Sequence, residues 1–188
     1  MEIVGIIIGV IGIIVGIYPY YRSKYILRPE LTIEITSKGG LSSPRGLSSK
    51  NVVNSEGYID GNNAIRIFEL TWRFKVTITN NSDLTAFYPE LEFNPTGSKF
   101  KIDKINRLKP IKPSESLELS GEFNKYEEVE GKNRTDVGKA PPTEFSELEL
   151  LLGYENSKKR RFYTLFDFNE SEKKNKFLNK KPKDYKNN

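Results

Sequence analysis

The chain contains no cysteine and no histidine among its 188 residues. Without cysteine it forms no disulfide, and without either residue it has none of the usual ligands of zinc and haem sites. A catalytic mechanism that uses a histidine base or a cysteine nucleophile is excluded as well. No glycine-rich phosphate-binding motif occurs either. We therefore expect a protein that is not an enzyme and that holds no cofactor and no metal.

Long hydrophobic runs are also scarce, with one exception at the start of the chain. Residues 3–18 are all apolar or glycine, and 8 of the 18 isoleucines lie in the first 17 positions. A helix over residues 1–21 would be roughly 31 Å long, about the thickness of the hydrocarbon core of a bilayer. The run predicts a transmembrane helix over residues 1–21, which Pro19 ends or bends.

Two alternatives to a retained membrane anchor stay open at this stage. A cleaved signal peptide requires a positive start and a cleavage site of small residues. The chain instead starts with Met1-Glu2, and the apolar run is followed by Tyr-Pro-Tyr-Tyr-Arg. A helix buried in a protein core is the second alternative. The retained anchor agrees best with both flanks.

The residues after the apolar run predict its orientation. Tyrosine side chains suit the membrane–water interface, and positive flanks stay in the cytoplasm. A basic juxtamembrane linker is predicted over residues 22–30, with the N-terminus outside and the rest of the chain cytoplasmic. The predicted interface residues are Tyr18, Tyr20, Tyr21, Arg22, Lys24 and Arg28.

Four glycines occur in the apolar run at spacings that place them on one helix face. Small residues on one face let two membrane helices approach closely. The pattern predicts that the chain associates with itself through Gly5, Gly9, Gly12 and Gly16. The alternative is that glycine is simply common in membrane helices.

The net charge of +5 is concentrated at the two ends of the chain. The tail, residues 170–188, has seven lysines against three acidic residues and is predicted to be disordered. The region between the linker and the tail is nearly neutral, which argues against binding of nucleic acid. Basic ends favour contact with anionic membrane lipid. For the tail, the alternative is a merely solubilising segment.

Residues 31–169 show short runs in which apolar and polar residues alternate, separated by Gly, Pro, Asn and Ser clusters. The alternation predicts an all-β domain of about seven strands, a β-sandwich of two antiparallel sheets. The clearest strand is 70–80, where Trp72 falls on the core face, and a phase change at Phe68-Glu69 suggests a β-bulge. Residues 148–168 predict a hairpin. Residues 37–63 and 124–142 are predicted to be long polar loops, either functional or mobile.

Three segments of the domain resemble the CARDB and related immunoglobulin-like modules of prokaryotes. These are FKVTITNNSDLTAFYPELEF, LKPIKPSESLEL and LLLGYENSKKRRFYTLFDF, within residues 64–168. In that family a strand ends in Asn before a turn, and a corner with the pattern L-x-P-G-x-S opens a later strand. This chain has Ser114 in place of the corner glycine. The resemblance implies an immunoglobulin-like fold with a binding or spacing role and no catalytic residues.

Two charged clusters are candidate sites. Glu127, Glu128 and Glu130 could act as paired carboxylates in a cleft, but consecutive acidic residues on a loop are more often simply solvated. A basic hairpin tip could bind a phosphate or an acidic partner, although such tips are often solubilising turns. Its residues are Lys158, Lys159, Arg160 and Arg161.

The sequence therefore predicts a non-enzymatic, single-pass membrane protein that presents a cytoplasmic β-sandwich to a partner. The expected partners are membrane lipid, a second copy of the chain through the helix, and an unidentified protein or small ligand. One alternative is an oligomerising, membrane-perturbing effector of a prokaryotic defence system, with the sandwich as sensor. Another is an extracytoplasmic surface module, which requires the opposite topology.

Overall fold

The computed structural model describes residues 2–22, 27–60, 63–94, 99–130, 142–169 and 174–185, with side chains from residue 11 onward in the first range and without the side chain of residue 184. One α-helix and eight β-strands occur within these ranges. In chain order they are α1 (Glu2–Tyr21), β1 (Leu31–Leu47), β2 (Ile65–Asn80), β3 (Phe87–Asn94), β4 (Phe100–Ile102), β5 (Ser116–Glu130), β6 (Glu149–Glu155), β7 (Arg161–Asp167) and β8 (Asn175–Leu178). Two short 3₁₀ helices cover Thr143–Glu147 and Lys183–Tyr185.

The helix α1 contains Pro19 and ends two residues after it. Its described apolar side chains are exposed, from 54% for Ile11 to 65% for Val15, so they do not pack on the β domain. Within the residues that the structure describes, no helix is both long enough and apolar enough to cross a membrane.

The strands form two antiparallel sheets of four strands each, as the alternation predicts. Sheet 1 has the order β1-β2-β5-β4, and sheet 2 has the order β3-β6-β7-β8. Buried side chains from both sheets form one hydrophobic cluster, which is consistent with a β-sandwich. The predicted hairpin is present as β6 and β7, and β3 lies at the edge of its sheet, where Pro89 does not interrupt a ladder between two neighbours.

The core between the sheets is rich in aromatic rings. Trp72 is 5% exposed, which confirms its predicted core position, and its ring centroid lies 6.0 Å from that of Phe123. Phe123 also lies 4.6 Å from Phe100 and 5.7 Å from Phe145, centroid to centroid. Aromatic pairs at these separations add about 1 kcal/mol each beyond the area they bury.

The prediction of a loop over residues 37–63 is wrong for residues 37–47. β1 continues to Leu47 and pairs with β2 along its whole length. The glycines and Pro44 are accommodated by register shifts between Ser37 and Gly39 and between Pro44 and Gly46, because a bulge lets an irregular strand keep its partner. The bulge predicted at Phe68-Glu69 is likewise wrong, since β2 is continuous there and Phe68 shares the buried face of Trp72.

The predicted second loop and the predicted disordered tail also contain strand. Residues 124–130 belong to β5 and pair with β2, so the prediction of a loop is wrong for this part of the range 124–142; residues 131–141 are outside the described ones. In the tail, Asn175–Leu178 pairs with β7 as β8. Phe177 packs under the guanidinium of Arg28 at 5.1 Å, which gives this charged segment an anchor.

The side chain of Asn175 also joins the two sheets. Its carbonyl oxygen accepts a hydrogen bond from the backbone N–H of Ile33 at 2.8 Å, and its amide donates to the Ile33 carbonyl at 2.9 Å. Thr164 adds a second link, because its hydroxyl donates to the Leu31 carbonyl at 2.8 Å. Side chains of sheet 2 thus provide hydrogen-bond partners for the backbone groups at the start of the exposed edge of β1.

Candidate functional site

The basic hairpin tip is shaped by one buried amide, that of Asn156. Its side-chain oxygen accepts hydrogen bonds from the backbone N–H groups of Lys158 and Arg160, both at 3.0 Å. Its backbone N–H donates to the Arg160 carbonyl, and Lys159, with φ +59°, donates to the Asn156 carbonyl. Asn156 is 4% exposed. The tip is therefore a defined turn, because a side chain replaces water as partner of its backbone groups.

The same amide connects the tip to the segment that follows α1. Asn156 Nδ2 donates to the Leu27 carbonyl at 2.9 Å, and the Leu27 N–H donates to the Arg22 carbonyl at 2.9 Å. Two hydrogen bonds and one intervening residue thus separate the tip from the end of the helix. Lys24, a predicted interface residue, lies outside the described residues.

The other loops at this end of the sandwich are also connected to that segment; we call this the base end, comprising residues 27–30, 81–84, 112–115 and 156–160. Asn81 N–H donates to the Glu30 carbonyl at 2.9 Å. Asn80, which is fully buried, donates through its amide to the carbonyls of Leu84 and Ile111. Its oxygen accepts from the N–H and hydroxyl of Ser82. Buried amides thus fix two of the base-end loops.

The four cations predicted at the tip separate into two groups. Lys158 and Lys159 are exposed, and Arg160 lies with its guanidinium 5.9 Å from the ring of Phe162. Arg161 instead lies on the sheet and forms an ion pair with Glu90 of β3. Burial lowers the pKa of Arg161, but the hydrogen bond to Glu90 together with the nearby Tyr163, Glu90 and Glu155 outweighs it, and the net shift is upward. The candidate site at the tip is therefore Lys158, Lys159 and Arg160.

A glycine in the intervening strand lets Arg161 reach Glu90. Gly153 of β6 pairs with Glu90 on one side and with Tyr163 on the other, while Arg161 pairs with Glu155, so the arginine side chain crosses β6 diagonally. A Cβ at Gly153 would lie 3.2 Å from the guanidinium, tighter than ordinary contact. The missing side chain thus leaves a path for the arginine across β6.

Among the other predicted interface and packing residues, Arg28 packs against the β domain. Its side chain is 17% exposed, pairs with Glu30 at 3.4 Å and lies on the Phe177 ring. Tyr18, Tyr20, Tyr21 and Arg22 are exposed on α1. Gly12 and Gly16 have no atom within 4 Å of a Cβ built on them. The side chains near Gly5 and Gly9 are outside the described ones.

The opposite end, which we call the distal end, carries the acidic cluster. It comprises residues 41–60, 63–71 and 124–130. Glu127 and Glu128 lie on β5, not on a loop. Glu128 accepts a hydrogen bond from Ser48 at 2.7 Å and pairs with Lys50, and these two partners lower its pKa. Glu127 pairs with Lys125 at 2.6 Å. Glu128 thus pairs with the loop after β1, and Glu127 pairs within its own strand. No cluster of three potential metal ligands occurs in the described ranges.

The loop after β1 is closed at its base and presents apolar side chains at its surface. Asn51 closes it by hydrogen bonds to the Ser48 and Ile65 carbonyls, both at 2.8 Å. Val52 is 86% exposed and Tyr58 69% exposed. Tyr126 on β5 is 65% exposed at the same end. The sequence analysis identified this loop but not these residues; the signal was the presence of Val52, Val53 and Tyr58 in an otherwise polar segment.

A shallow depression on the outer face of sheet 1 is a further candidate, with a volume of about 560 Å³. Four cations from three strands line it, but Lys75 pairs with Glu118, and Arg73 lies 3.9 Å from Glu122. Its floor is Gly121, where a Cβ would lie 2.1 Å from the Phe74 ring. The depression is open and its charges are largely compensated, which makes it a weaker candidate than the two ends.

Comparison with known proteins gives no match: no protein family, no curated protein and no solved structure is detectably similar to this chain.

Proposed function

We propose that this protein is a non-enzymatic binding module, held at a membrane by its N-terminal helix, whose immunoglobulin-like sandwich meets a partner at its distal end. The observation that carries the proposal is the difference between the two ends of the sandwich. The chain arrives from α1 at the base end, where cations are exposed on a fixed turn. The distal end instead presents exposed valine and tyrosine side chains. Exposed aromatic residues on loops are typical of binding surfaces.

The strand order supports the immunoglobulin-like class. Sheet 1, β1-β2-β5-β4, has the order A-B-E-D of the constant-type immunoglobulin domain, and β3-β6-β7 has the order C-F-G. β8 adds one strand beside the last. Ser114, which occupies the place of the corner glycine in the resembling modules, has φ +61°, a backbone conformation that favours glycine.

The anchor rests on the sequence of residues 3–18 and on the exposure of the apolar side chains that follow Val10 in α1. An exposed stripe of isoleucine is unfavourable in water, so it needs a lipid or protein neighbour. The cations after the helix place the sandwich on the cytoplasmic side under the positive-inside rule. Self-association through the glycine face is the second part of this proposal, because close approach requires the free space at Gly12 and Gly16.

Topology and anchoring are tested in spheroplasts that express the full chain with a C-terminal epitope. We expect the protein in the membrane fraction and the sandwich protected from added protease until the cells are lysed. Digestion of the epitope without lysis would contradict the cytoplasmic side. Recovery in the soluble fraction would contradict the anchor.

The binding role of the distal end is tested with a photo-crosslinking amino acid at Tyr58 in the same cells. We expect a discrete adduct from Tyr58 that Val52→Asp diminishes. A matched probe at Leu108, an apolar side chain that is 83% exposed outside the distal end, serves as control. Equal adducts from both positions, or none from either, would contradict a partner surface at the distal end.

The glycine face is tested by Gly9→Leu with Gly12→Leu in detergent. We expect the oligomer to dissociate, because leucine side chains keep two helices apart. Ile11→Leu with Ile14→Leu is the matched control, since it alters the helix without filling the glycine face. An unchanged oligomer in the glycine variant would contradict the proposed packing.

A further inference from the structure

The exposed cations of the hairpin tip have a fixed position relative to the end of α1. Asn156 joins the tip to Leu27, and Leu27 is joined to Arg22, by hydrogen bonds of 2.9 Å each. The tip cannot move away from the helix end without breaking the buried amide contacts of Asn156. A membrane that contains α1 therefore has Lys158, Lys159 and Arg160 close to its surface.

The charges at the base end favour an anionic surface over a basic one. Lys158 and Lys159 form no ion pair with any residue in the described ranges, and Lys112 and Lys180 are exposed on neighbouring segments. The acidic groups at this end are Glu30, Asp83, Glu115 and Glu155. Of these, Glu30 pairs with Arg28 and Glu115 pairs with Lys109 at 3.4 Å. The tip itself contains no acidic residue.

The shape of the tip favours a surface over a small anion. The two lysines are exposed on a turn, whereas a soluble phosphate site needs several donors that converge on one point. A bilayer of anionic lipid offers many headgroups to cations that project side by side, and each such cation near its surface strengthens attachment about fivefold.

We propose that Lys158, Lys159 and Arg160 bind the anionic phospholipid headgroups of the leaflet at which α1 ends, and so hold the base end of the sandwich against the bilayer. The proposal rests on the membrane anchor proposed above. It adds that the sandwich has one orientation on the membrane, with the distal end directed away from the lipid.

The absence of cysteine allows a direct test in the full-length chain. A dye is attached at Ser157→Cys, an exposed position within the tip, and the protein is reconstituted into nanodiscs. Some discs contain phosphatidylcholine alone and some also contain phosphatidylserine, each with a nitroxide quencher at the headgroup. We expect strong quenching only with phosphatidylserine, weakened by high salt because screening acts on exposed charges.

Charge reversal then distinguishes lipid binding by the tip from a general attraction of the whole protein to anionic lipid. Lys158→Glu with Lys159→Glu is expected to lower the ratio of membrane-contacting to detached molecules by at least about 25-fold, fivefold for each lysine lost. The control, Lys99→Glu with Lys101→Glu, changes the charge equally on the edge of sheet 1 and leaves quenching unchanged. A dye at Tyr58→Cys should remain unquenched in every disc.

The outcomes separate this inference from the anchor. A dye at Ile14→Cys with a quencher in the acyl chains reports whether α1 is inserted. If Ile14→Cys is quenched while Ser157→Cys is not, or is quenched equally without phosphatidylserine, the lipid-binding tip is wrong and the anchor stands. If Ile14→Cys is not quenched, both are wrong. If soluble inorganic phosphate at constant ionic strength abolishes the quenching, the tip binds a free anion and not the lipid. That result would also overturn the inference.

Discussion

The base end and the distal end of the sandwich are held together by different kinds of interaction. At the base end, the buried side chains of Asn80 and Asn156 bind the backbone of several segments at once. At the distal end, the amide of Asn51 closes one loop, and ion pairs such as Lys50–Glu128 and Arg45–Glu69 connect side chains at the surface. Buried hydrogen-bonded amides are costly to remove, whereas exposed ion pairs contribute little. The contrast suggests that the base end is rigid and that the surface of the distal end is adaptable.

The largest effect is expected from Asn80→Ala. The change removes the amide hydrogen bonds to the Leu84 and Ile111 carbonyls, which keep Ser82 Oγ and the Ala86 N–H as partners, and it takes away the acceptor of the Ser82 turn. We expect a loss of about 3 kcal/mol in the free energy of unfolding. Urea denaturation of the full chain in detergent measures it. Asn81→Ala is the matched control, because Asn81 is exposed and bonds only to Thr32 through its side chain at 2.8 Å. Equal losses in the two variants would remove the special role of the buried amide.

Asn156→Ala is expected to cost about 2 kcal/mol, since three backbone partners of the tip and of Leu27 are lost. It should also loosen the tip, seen as faster hydrogen exchange at Lys158 and Arg160. Ser157→Ala changes the neighbouring exposed residue and should alter neither quantity. Unchanged exchange in Asn156→Ala would show that the turn keeps its shape without the amide.

Alkaline pH is expected to weaken the base end through Tyr154. Burial raises the pKa of its phenol above the ordinary value of 10.0, while the hydroxyl lies 3.3 Å from that of Thr164. Because the folded-state pKa is the higher one, this contribution is fully present below pH 10.0 and is lost as pH rises through the folded value. Stability measured against pH should fall less steeply in Tyr154→Phe. Tyr126→Phe, at an exposed tyrosine, should leave the slope unchanged.

The smallest effect is expected at the distal end, from Glu128→Gln. The pKa of Glu128 is lowered by its hydrogen bonds with Lys50 and Ser48, so its contribution exists above pH 4.5 and is lost as pH falls. The group is fully exposed to solvent, and we expect no measurable change in the unfolding midpoint at neutral pH. Glu130→Gln is the control. A clear destabilisation specific to Glu128→Gln would remove the contrast between the two ends.

The sequence predicted those strands whose residue pattern shows which side chains are buried. Strand β7 of the hairpin and the face of β2 with Trp72 show a regular alternation, and both strands are confirmed. The second half of β1 shows none, because Gly39, Gly40 and Pro44 have low strand propensity. It is a strand because β2 offers a continuous ladder to pair with. Pairing with a neighbour is a tertiary effect that local propensity does not contain.

From the sequence, the candidate site was predictable only as a group of charged residues and not as an arrangement in space. The basic tip was recognised from four consecutive cations, but nothing in that run indicates that Arg161 lies on the sheet. That difference depends on Gly153, eight residues earlier and diagonal to Arg161 across the ladder. The bond from Asn156 to Leu27 joins positions 129 residues apart. Contacts of this range depend on topology, which the charge pattern does not report.

Asn175 determines when the fold can be completed during synthesis. Its side chain satisfies the backbone of Ile33, a residue 142 positions earlier in the chain. A ribosome extends the chain at about 5–20 residues per second, so the first strand is made several seconds before its last partner exists. Until then the edge at Ile33 is open to other strands. A chain truncated before Asn175 would therefore keep that edge unprotected.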